Sequence, residues 1–278
     1  MADSEEASEE VTTAALTEAA AEDTEENAPA LSSKTRNDFL LLEELGEGSY
    51  STVHIGCERT TSRKFAIKIC SKLQILREKK TTQIFREKEC LTKLSTNENY
   101  HPFIVRLYCT FQDQESLYFV MSLASRKDLL QVLRKKKKFS IDEARFASAE
   151  IAVALEHIHK FNIVHRDVLL NKLIDETCDY WAIGCIIFQL LTGERPFNDV
   201  SEFFIFKRIT ALRYSFPDDF PSDGEDAKDL IQQFLQIEAA DRLGSKEKGG
   251  VEALKAHPFF NEIKEWEKLP ESTSPLNG

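Results

Sequence analysis

Three groups of residues in this sequence have the types and spacing of a phosphate-handling site. The first is LGEGSYSTV at 45–53, where Gly46, Gly48 and Ser51 keep bulk away from the backbone before Val53. Small side chains let backbone amides approach phosphate oxygens without a clash. A plain hairpin would account for the glycines equally well. The second is Lys68, set inside the apolar run KFAIKIC at 64–70. An ammonium in an apolar strand costs several kcal/mol unless a carboxylate pairs with it. Glu87, in the helical segment that follows, is the natural candidate, and such a pair would hold a nucleotide's phosphates. The third is His165-Arg166-Asp167, with Asp167 as the base for a substrate hydroxyl proton. Taken singly, these would read as a turn, a surface lysine and a polar post-helix tripeptide. Their order along one chain argues for phosphoryl chemistry.

The elements that must position them are legible in outline. Residues 1–36 are rich in Glu, Ala, Thr and Ser without an aromatic, and are expected to form a disordered acidic tail. From about residue 38 to 123 the pattern favours strands, KFAIKIC and SLYFVMSL among them, with one helix over 83–94. Beyond 123 the chain turns helical. Ser140 and Glu143 have capping-box spacing ahead of Ala144, Ala147, Ile151, Leu155 and Ile158 on one helical face. The run WAIGCIIFQLLTG at 181–193 is apolar all round and reads as a core helix with a glycine cap at Gly193.

Residues 1–30 carry ten acidic side chains and no Lys or Arg, so the tail supplies nearly all of the formal charge of -11. The remainder is close to neutral, which speaks against a nucleic-acid footprint. No run approaches the roughly 18 apolar residues of a membrane span. The six cysteines, Cys57, Cys70, Cys90, Cys109, Cys178 and Cys185, show neither CxxC pairing nor metal-ligand spacing. They are expected to be reduced thiols, mostly in the core, of a cytosolic or nuclear protein.

From about residue 38 to 268 the chain resembles the AGC group of eukaryotic serine/threonine protein kinases, and within it the phosphoinositide-dependent branch. The resemblance rests on LGEGSYSTV, AIKICSKLQI, FREKECLTKL, HPFIVRLYCTFQDQESLYFV, DYWAIGCIIFQLLTGERPF, DRLG and LKAHPFF, in that order. It implies an α+β, two-lobed protein kinase fold, with a β-rich small lobe at 37–123, a helical large lobe at 124–268 and a tail at 269–278. It implies ATP as cofactor, held by Leu45, Gly46, Gly48, Val53, Ala66 and Lys68, by a hinge at Ser122 and Ala124, and by Asp128 at the ribose. Lys68, Glu87 and Asp167 would be the catalytic residues. The implied activity is transfer of the ATP γ-phosphate to activation loops of AGC kinases. Those partners would dock their hydrophobic-motif tails in a pocket of Lys72, Ile75, Leu76, Ile84, Gln112 and Leu117, residues that read equally well as small-lobe core.

The sequence then departs from the family. A lysine two positions past the catalytic Asp and an asparagine five past it are replaced by Leu169 and Lys172, and Asn171 falls one position short. No Asp-Phe-Gly motif, activation loop or Ala-Pro-Glu motif follows, and only eleven residues separate Asp167 from Asp179. The large lobe is therefore expected to be incomplete, with an internal deletion between about 168 and 178. Mg²⁺ serves the family, but its ligands are missing here and no metal residue is assigned. Asp175, followed by Glu176-Thr177, is a poor match for the metal-binding aspartate. Arg242 resembles the arginine that pairs with the missing glutamate, so an unpartnered buried guanidinium costing about 3–5 kcal/mol is expected. The reading is a kinase by descent that is catalytically impaired. The alternatives are a pseudokinase or docking module, and an exon-skipped or mispredicted form of an active kinase. The run RKKKK at 134–138 is read as a solvated helix end. The family's C-terminal phosphoinositide-binding domain is expected to be absent, leaving no membrane domain.

Overall fold

The computed structural model describes residues 34–124, 128–165 and 175–277. They fall into two compact units, one within 1–100 and 104–126, the other comprising 101–103 and the chain from 127 onward. Most of the expected acidic tail lies outside the described residues. Its expected end at 36 does not: the Lys34 ammonium pairs with the buried Glu58 at 2.9 Å, and Thr35 caps a single turn over Arg36–Asp38.

In the first unit, β1 (Phe39–Glu47), β2 (Ser51–Glu58), β3 (Lys64–Ser71), β4 (Leu107–Gln112) and β5 (Ser116–Ser122) form one antiparallel sheet in the order β1-β2-β3-β5-β4. Side chains alternate along a strand, so KFAIKICS sends Phe65 and Ile67 to one face and Ala66, Lys68 and Cys70 to the other. The first face buries Phe39, Phe65, Ile67, Tyr118 and Val120. Stacked rings, Phe39 on Phe111 at 5.7 Å and Phe65 on Tyr108 at 4.7 Å, fill it. On the second face, Cys70, Leu117 and Phe119 are covered by Ile75 of α1 (Lys72–Arg77) and Ile84 of α2 (Thr81–Leu94). Each such side chain contributes about 1.5–3 kcal/mol by leaving water. Helix α1 was not expected from the sequence. Ser71 starts it by accepting a hydrogen bond from the Gln74 amide at 3.4 Å.

The second unit is built from α3 (Leu129–Lys136), α4 (Ile141–Lys160), α5 (Thr177–Thr192), α6 (Glu202–Thr210), α7 (Glu225–Phe234) and α8 (Gly250–Lys255). The expected capping box forms at α4: the Ser140 hydroxyl accepts from the Glu143 amide at 3.3 Å, and the Glu143 carboxylate from the Ser140 amide at 3.0 Å. Helix α5 is buried along most of its length and ends at Gly193 with φ 79°. A Cβ there would also lie 2.6 Å from the Lys137 carbonyl oxygen, so both conformation and space require glycine. Among the described residues, no helix is long and apolar enough to cross a membrane.

Two expectations need correction. Only Cys70 among the six cysteines is buried; the other five are half-buried, Cys109 still packing against the Phe39 cluster. Arg242 is buried but not without partners. Its Nη1 donates to the carbonyl oxygen and hydroxyl of Thr177 at 2.7 and 3.1 Å, its Nη2 to the Gln236 carbonyl at 2.7 Å, and its guanidinium lies 5.3 Å from the Trp181 ring centre. A guanidinium has five donors, and backbone carbonyls satisfy them as a carboxylate would.

Candidate active site

Strand register gathers the first group of chemical residues on one face of the first unit. Gly46 stands opposite Val53, Val53 opposite Lys68, and Lys68 opposite Phe119, while Ala66 faces Ile55 and Met121. Facing residues share a side of the sheet, so Gly46, Val53, Ala66 and Lys68 form one surface. Leu45 falls in the irregular register between Glu44 and Gly46 and is 48% exposed. The hairpin closes tightly, the Gly48 amide donating to the Ser51 carbonyl at 2.7 Å. Neither Gly46 nor Gly48 has a positive φ. A Cβ on Gly46 would meet nothing within 4 Å, and one on Gly48 would meet the Ser51 hydroxyl at 3.2 Å. Gly46 thus supplies open space above the turn, the condition for backbone to approach a phosphate, while Gly48 leaves room for the Ser51 hydroxyl.

Lys68 Nζ donates to Glu87 Oε1 at 2.5 Å, joining β3 to α2 across nineteen positions of sequence. Both side chains remain partly solvated, at 17% and 29% exposure, so the ammonium is held in place without being sealed off. The Tyr50 ring, in the glycine-rich turn, lies 5.8 Å from the same ammonium. An apolar floor of Val53 and Ala66 beside an oriented ammonium suits a flat heterocycle that carries phosphates. Tyr50 was not singled out from the sequence, though its place inside the glycine-rich turn was the available signal.

Other expected nucleotide contacts stand differently. The Ser122 hydroxyl accepts from the Arg106 amide at 2.9 Å, and its own amide donates to the Arg106 carbonyl at 2.8 Å, pinning the end of β5. Ala124 is exposed just beyond it. Asp128, expected at a ribose, caps α3 by accepting from the Gln131 amide at 2.6 Å. Asp167 lies outside the described residues, as do 166 and 168–174. The described chain reaches His165, whose amide donates to Asp179 Oδ2 at 3.0 Å. The same buried carboxylate oxygen is 2.8 Å from His159 Nε2. The His159–Asp179 pair therefore anchors the start of the tripeptide to α4 and α5. His159 escaped the sequence reading because a lone histidine near a helix end has no distinctive spacing. Asp175 accepts from the Thr177 amide at 2.9 Å and acts as a cap for α5.

The six residues expected to form a docking pocket are mostly core. Ile75, Ile84 and Leu117 pack together with Cys70 and Phe119 under α1 and α2. Lys72 is buried too, with Nζ donating to the Asp113 carbonyl at 2.7 Å; burial pulls its pKa down while the Asp113 charge opposes the shift. Leu76 and Gln112 are half-buried at the edge of this cluster.

The protein kinase domain family matches the chain over residues 39–177 and 168–260. Over 289 aligned positions the chain is 38% identical to 3-phosphoinositide-dependent protein kinase 1 of Rattus norvegicus and 37% identical to the putative 3-phosphoinositide-dependent protein kinase 2 of Homo sapiens. Both alignments take in 87% of the chain, with 50% of the rat protein and 71% of the human one. It is 33% identical to 3-phosphoinositide-dependent protein kinase 1 of Arabidopsis thaliana, with 58% of that protein covered. The chain thus spans about half the length of the rat relative. Since 87% of 278 residues is about 242, roughly 45 of the 289 aligned positions have no residue here. The two family segments overlap at 168–177, the stretch in which the catalytic-loop sequence departs from the family pattern.

Proposed function

The chain belongs to the protein kinase family, in its 3-phosphoinositide-dependent serine/threonine type, and from that premise we propose that it binds ATP through its strand-rich unit without transferring phosphate at a useful rate. The observation that carries this is the Lys68–Glu87 pair at 2.5 Å, standing on an intact sheet in a sequence with no Asp-Phe-Gly motif. Lys68 neutralises phosphate oxygens, Glu87 fixes the ammonium, and the space above Gly46 admits the phosphate chain. Asp167 would still take the proton of a substrate hydroxyl.

The residues present do not fit the family's magnesium centre. In kinases that metal is held by the Asp-Phe-Gly aspartate and the catalytic-loop asparagine. The first motif is missing from the sequence, and Lys172 stands at the second position. Among the described residues, no group of three or more His, Cys, Asp or Glu side chains is arranged to hold a metal ion. Loss of one preorganised electrostatic contact lowers turnover on the order of 10²–10³-fold, and groups that act as a unit are lost together.

The test uses the purified full chain, a fluorescent ATP analogue and an activation-loop peptide. Saturable nucleotide binding that disappears in Lys68→Ala, with no phosphate incorporated into the peptide, is the expected result. Peptide phosphorylation abolished by Lys68→Ala would overturn the impairment. No binding in the parent chain would overturn the nucleotide site.

A docking function has its own support in the intact cluster around Ile75, Ile84 and Leu117, with Leu73 of α1 55% exposed at its edge. On this reading a Phe-rich hydrophobic-motif tail of an AGC kinase binds the first unit and Leu76→Ala weakens it. Absence of binding at several hundred micromolar peptide, on the order of 5 kcal/mol of affinity, would remove that reading.

A further inference from the structure

Helix α2 brings Glu87 to Lys68, and its register on the sheet has to be set by more than that pair. Its buried side chains are Ile84 and Leu94. Apolar burial is non-directional, so it presses the helix down without fixing slide or rotation. A slide of one residue is roughly 1.5 Å and turns the helix by roughly 100°. Starting from 2.5 Å, that takes the Glu87 carboxylate out of hydrogen-bond range of Lys68. The pair is partly solvated, and ion pairs of that kind are weak. The start of the helix has no side-chain cap.

Its far end is stitched to the sheet by directional bonds. The Ser95 hydroxyl donates to the Leu91 carbonyl at 2.6 Å and accepts from the Leu107 amide at 2.7 Å, joining the last turn of α2 to β4. Arg106, the residue before β4, donates from Nε to the Ser95 carbonyl at 3.1 Å and from Nη2 to Asn97 Oδ1 at 2.7 Å. Its guanidinium lies 5.6 Å from the Tyr100 ring centre. The backbone of Arg106 exchanges two further bonds with Ser122, at the end of β5 where the nucleotide hinge is expected. One residue thus touches both the end of α2 and the end of β5. An exposed helix end needs none of this, since water satisfies its carbonyls. Arg106 is exposed, and bonds exchanged with water add modestly to stability. What they supply is register.

On the nucleotide-binding reading above, we infer that Ser95 and Arg106 are positioning residues of the nucleotide site. Together they fix where α2 sits, and through Glu87 they fix the Lys68 ammonium that meets the phosphates. Glu87 and Ser95 are eight residues apart on one helix, roughly 12 Å, and a helix transmits displacement at its end to its middle.

A double-mutant cycle on the full chain, read with the fluorescent ATP analogue, separates this role from general loosening. Arg106→Ala should weaken binding about fivefold, but less than about twofold in a Glu87→Gln background, where no carboxylate is left to position. Ser95→Ala, which removes a different atom of the same joint, should behave alike. Arg106→Lys, whose ammonium reaches one acceptor rather than two, should recover part of the affinity. Equal losses with and without Glu87 would overturn the positioning role. Hydrogen exchange without nucleotide tests the joint independently. In Arg106→Ala the amides of 84–94 should exchange at least about fivefold faster, while those of β2 and β3 stay within about twofold of the parent. Unchanged exchange in α2, or an equal gain across the sheet, would overturn the joint even where nucleotide binds. Absence of binding in the parent chain would remove the nucleotide reading instead, and the exchange result would still decide whether Arg106 holds α2.

Discussion

Replacing Arg242 by methionine distinguishes two accounts of a buried charge. If the guanidinium were unpartnered, as the missing glutamate suggested, an apolar side chain of similar volume would be neutral or stabilising. The structure instead shows donation to the carbonyls of Thr177 and Gln236, to the Thr177 hydroxyl, and a cation over the Trp181 ring. Hydrogen bonds from a charged donor contribute about 1.5–3 kcal/mol each, and the ring contact about 1 kcal/mol. Two well-made bonds and the ring therefore give about 4–7 kcal/mol. Against this stands a desolvation penalty of several kcal/mol, which methionine relieves. The balance is a net loss of about 2 kcal/mol in Arg242→Met. In a unit of this size that lowers the melting midpoint by about 4–8 °C. Thermal scans of the full chain by far-UV circular dichroism, with near-UV signal from Trp181, measure it. Arg242→Lys, whose ammonium cannot span both carbonyls, should fall between parent and Met. A midpoint in Arg242→Met equal to or above the parent's would show that the carbonyl bonds do not compensate the buried charge.

Three further outcomes follow from named contacts. Glu58 is buried and its pKa is held below the ordinary carboxylate value by the Thr61 hydroxyl first and the Lys34 ammonium second. Its stabilisation is therefore complete above the ordinary value near 4.3 and is lost as pH falls through the lower folded value. The gap in urea midpoint between parent and Glu58→Gln should be constant from about pH 7 to 5 and close below about 4; a gap that widens on acidification contradicts this. A Cβ at Gly56 would lie 2.1 Å from Ile67 Cδ1, and Ile67 is fully buried, so Gly56→Ala should lose about 1–3 kcal/mol. Adding Ile67→Val should recover part of that loss, and a purely additive double-mutant cycle would refute the clash. Inserting the roughly 45 absent positions of the rat relative between residues 168 and 178 should restore phosphate transfer to an activation-loop peptide. A folded, nucleotide-binding insertion variant without transfer would mean that residues outside the gap have also lost competence.

Legibility followed the strength of the local physical signal. KFAIKIC and SLYFVMSL were readable as strands because their apolar residues exceed what one exposed face tolerates, and they became the central pair β3 and β5. Ser140 with Glu143 and Gly193 were readable because helix ends leave backbone groups that few residue types can satisfy. The Lys68–Glu87 pair was readable from charge alone, since a lysine in such a strand demands a carboxylate. Helix α1 was missed because six residues after a single serine carry too little periodicity to stand out. The partners of Arg242 were missed for a different reason: they are backbone carbonyls, which every residue has. The set around Ile75 and Leu117 stayed ambiguous because a groove for an apolar tail and a core under two helices call for the same residue types.

The Asp179 carboxylate explains how the second unit can lose the content of its catalytic segment and keep its frame. One of its oxygens accepts from the His165 amide, at the near border of the interrupted stretch, and lies 2.8 Å from His159 at the end of α4. Asp179 itself belongs to the first turn of α5, at the far border, where Asp175 also supplies a cap. The two borders are thus tied to each other through one buried side chain. Closing fourteen residues rather than some sixty between fixed ends changes loop entropy only slowly, by about 0.6 kcal/mol per doubling of length. In the family, metal and substrate are placed by an Asp-Phe-Gly aspartate and a catalytic-loop asparagine, and this sequence has neither at the matching positions.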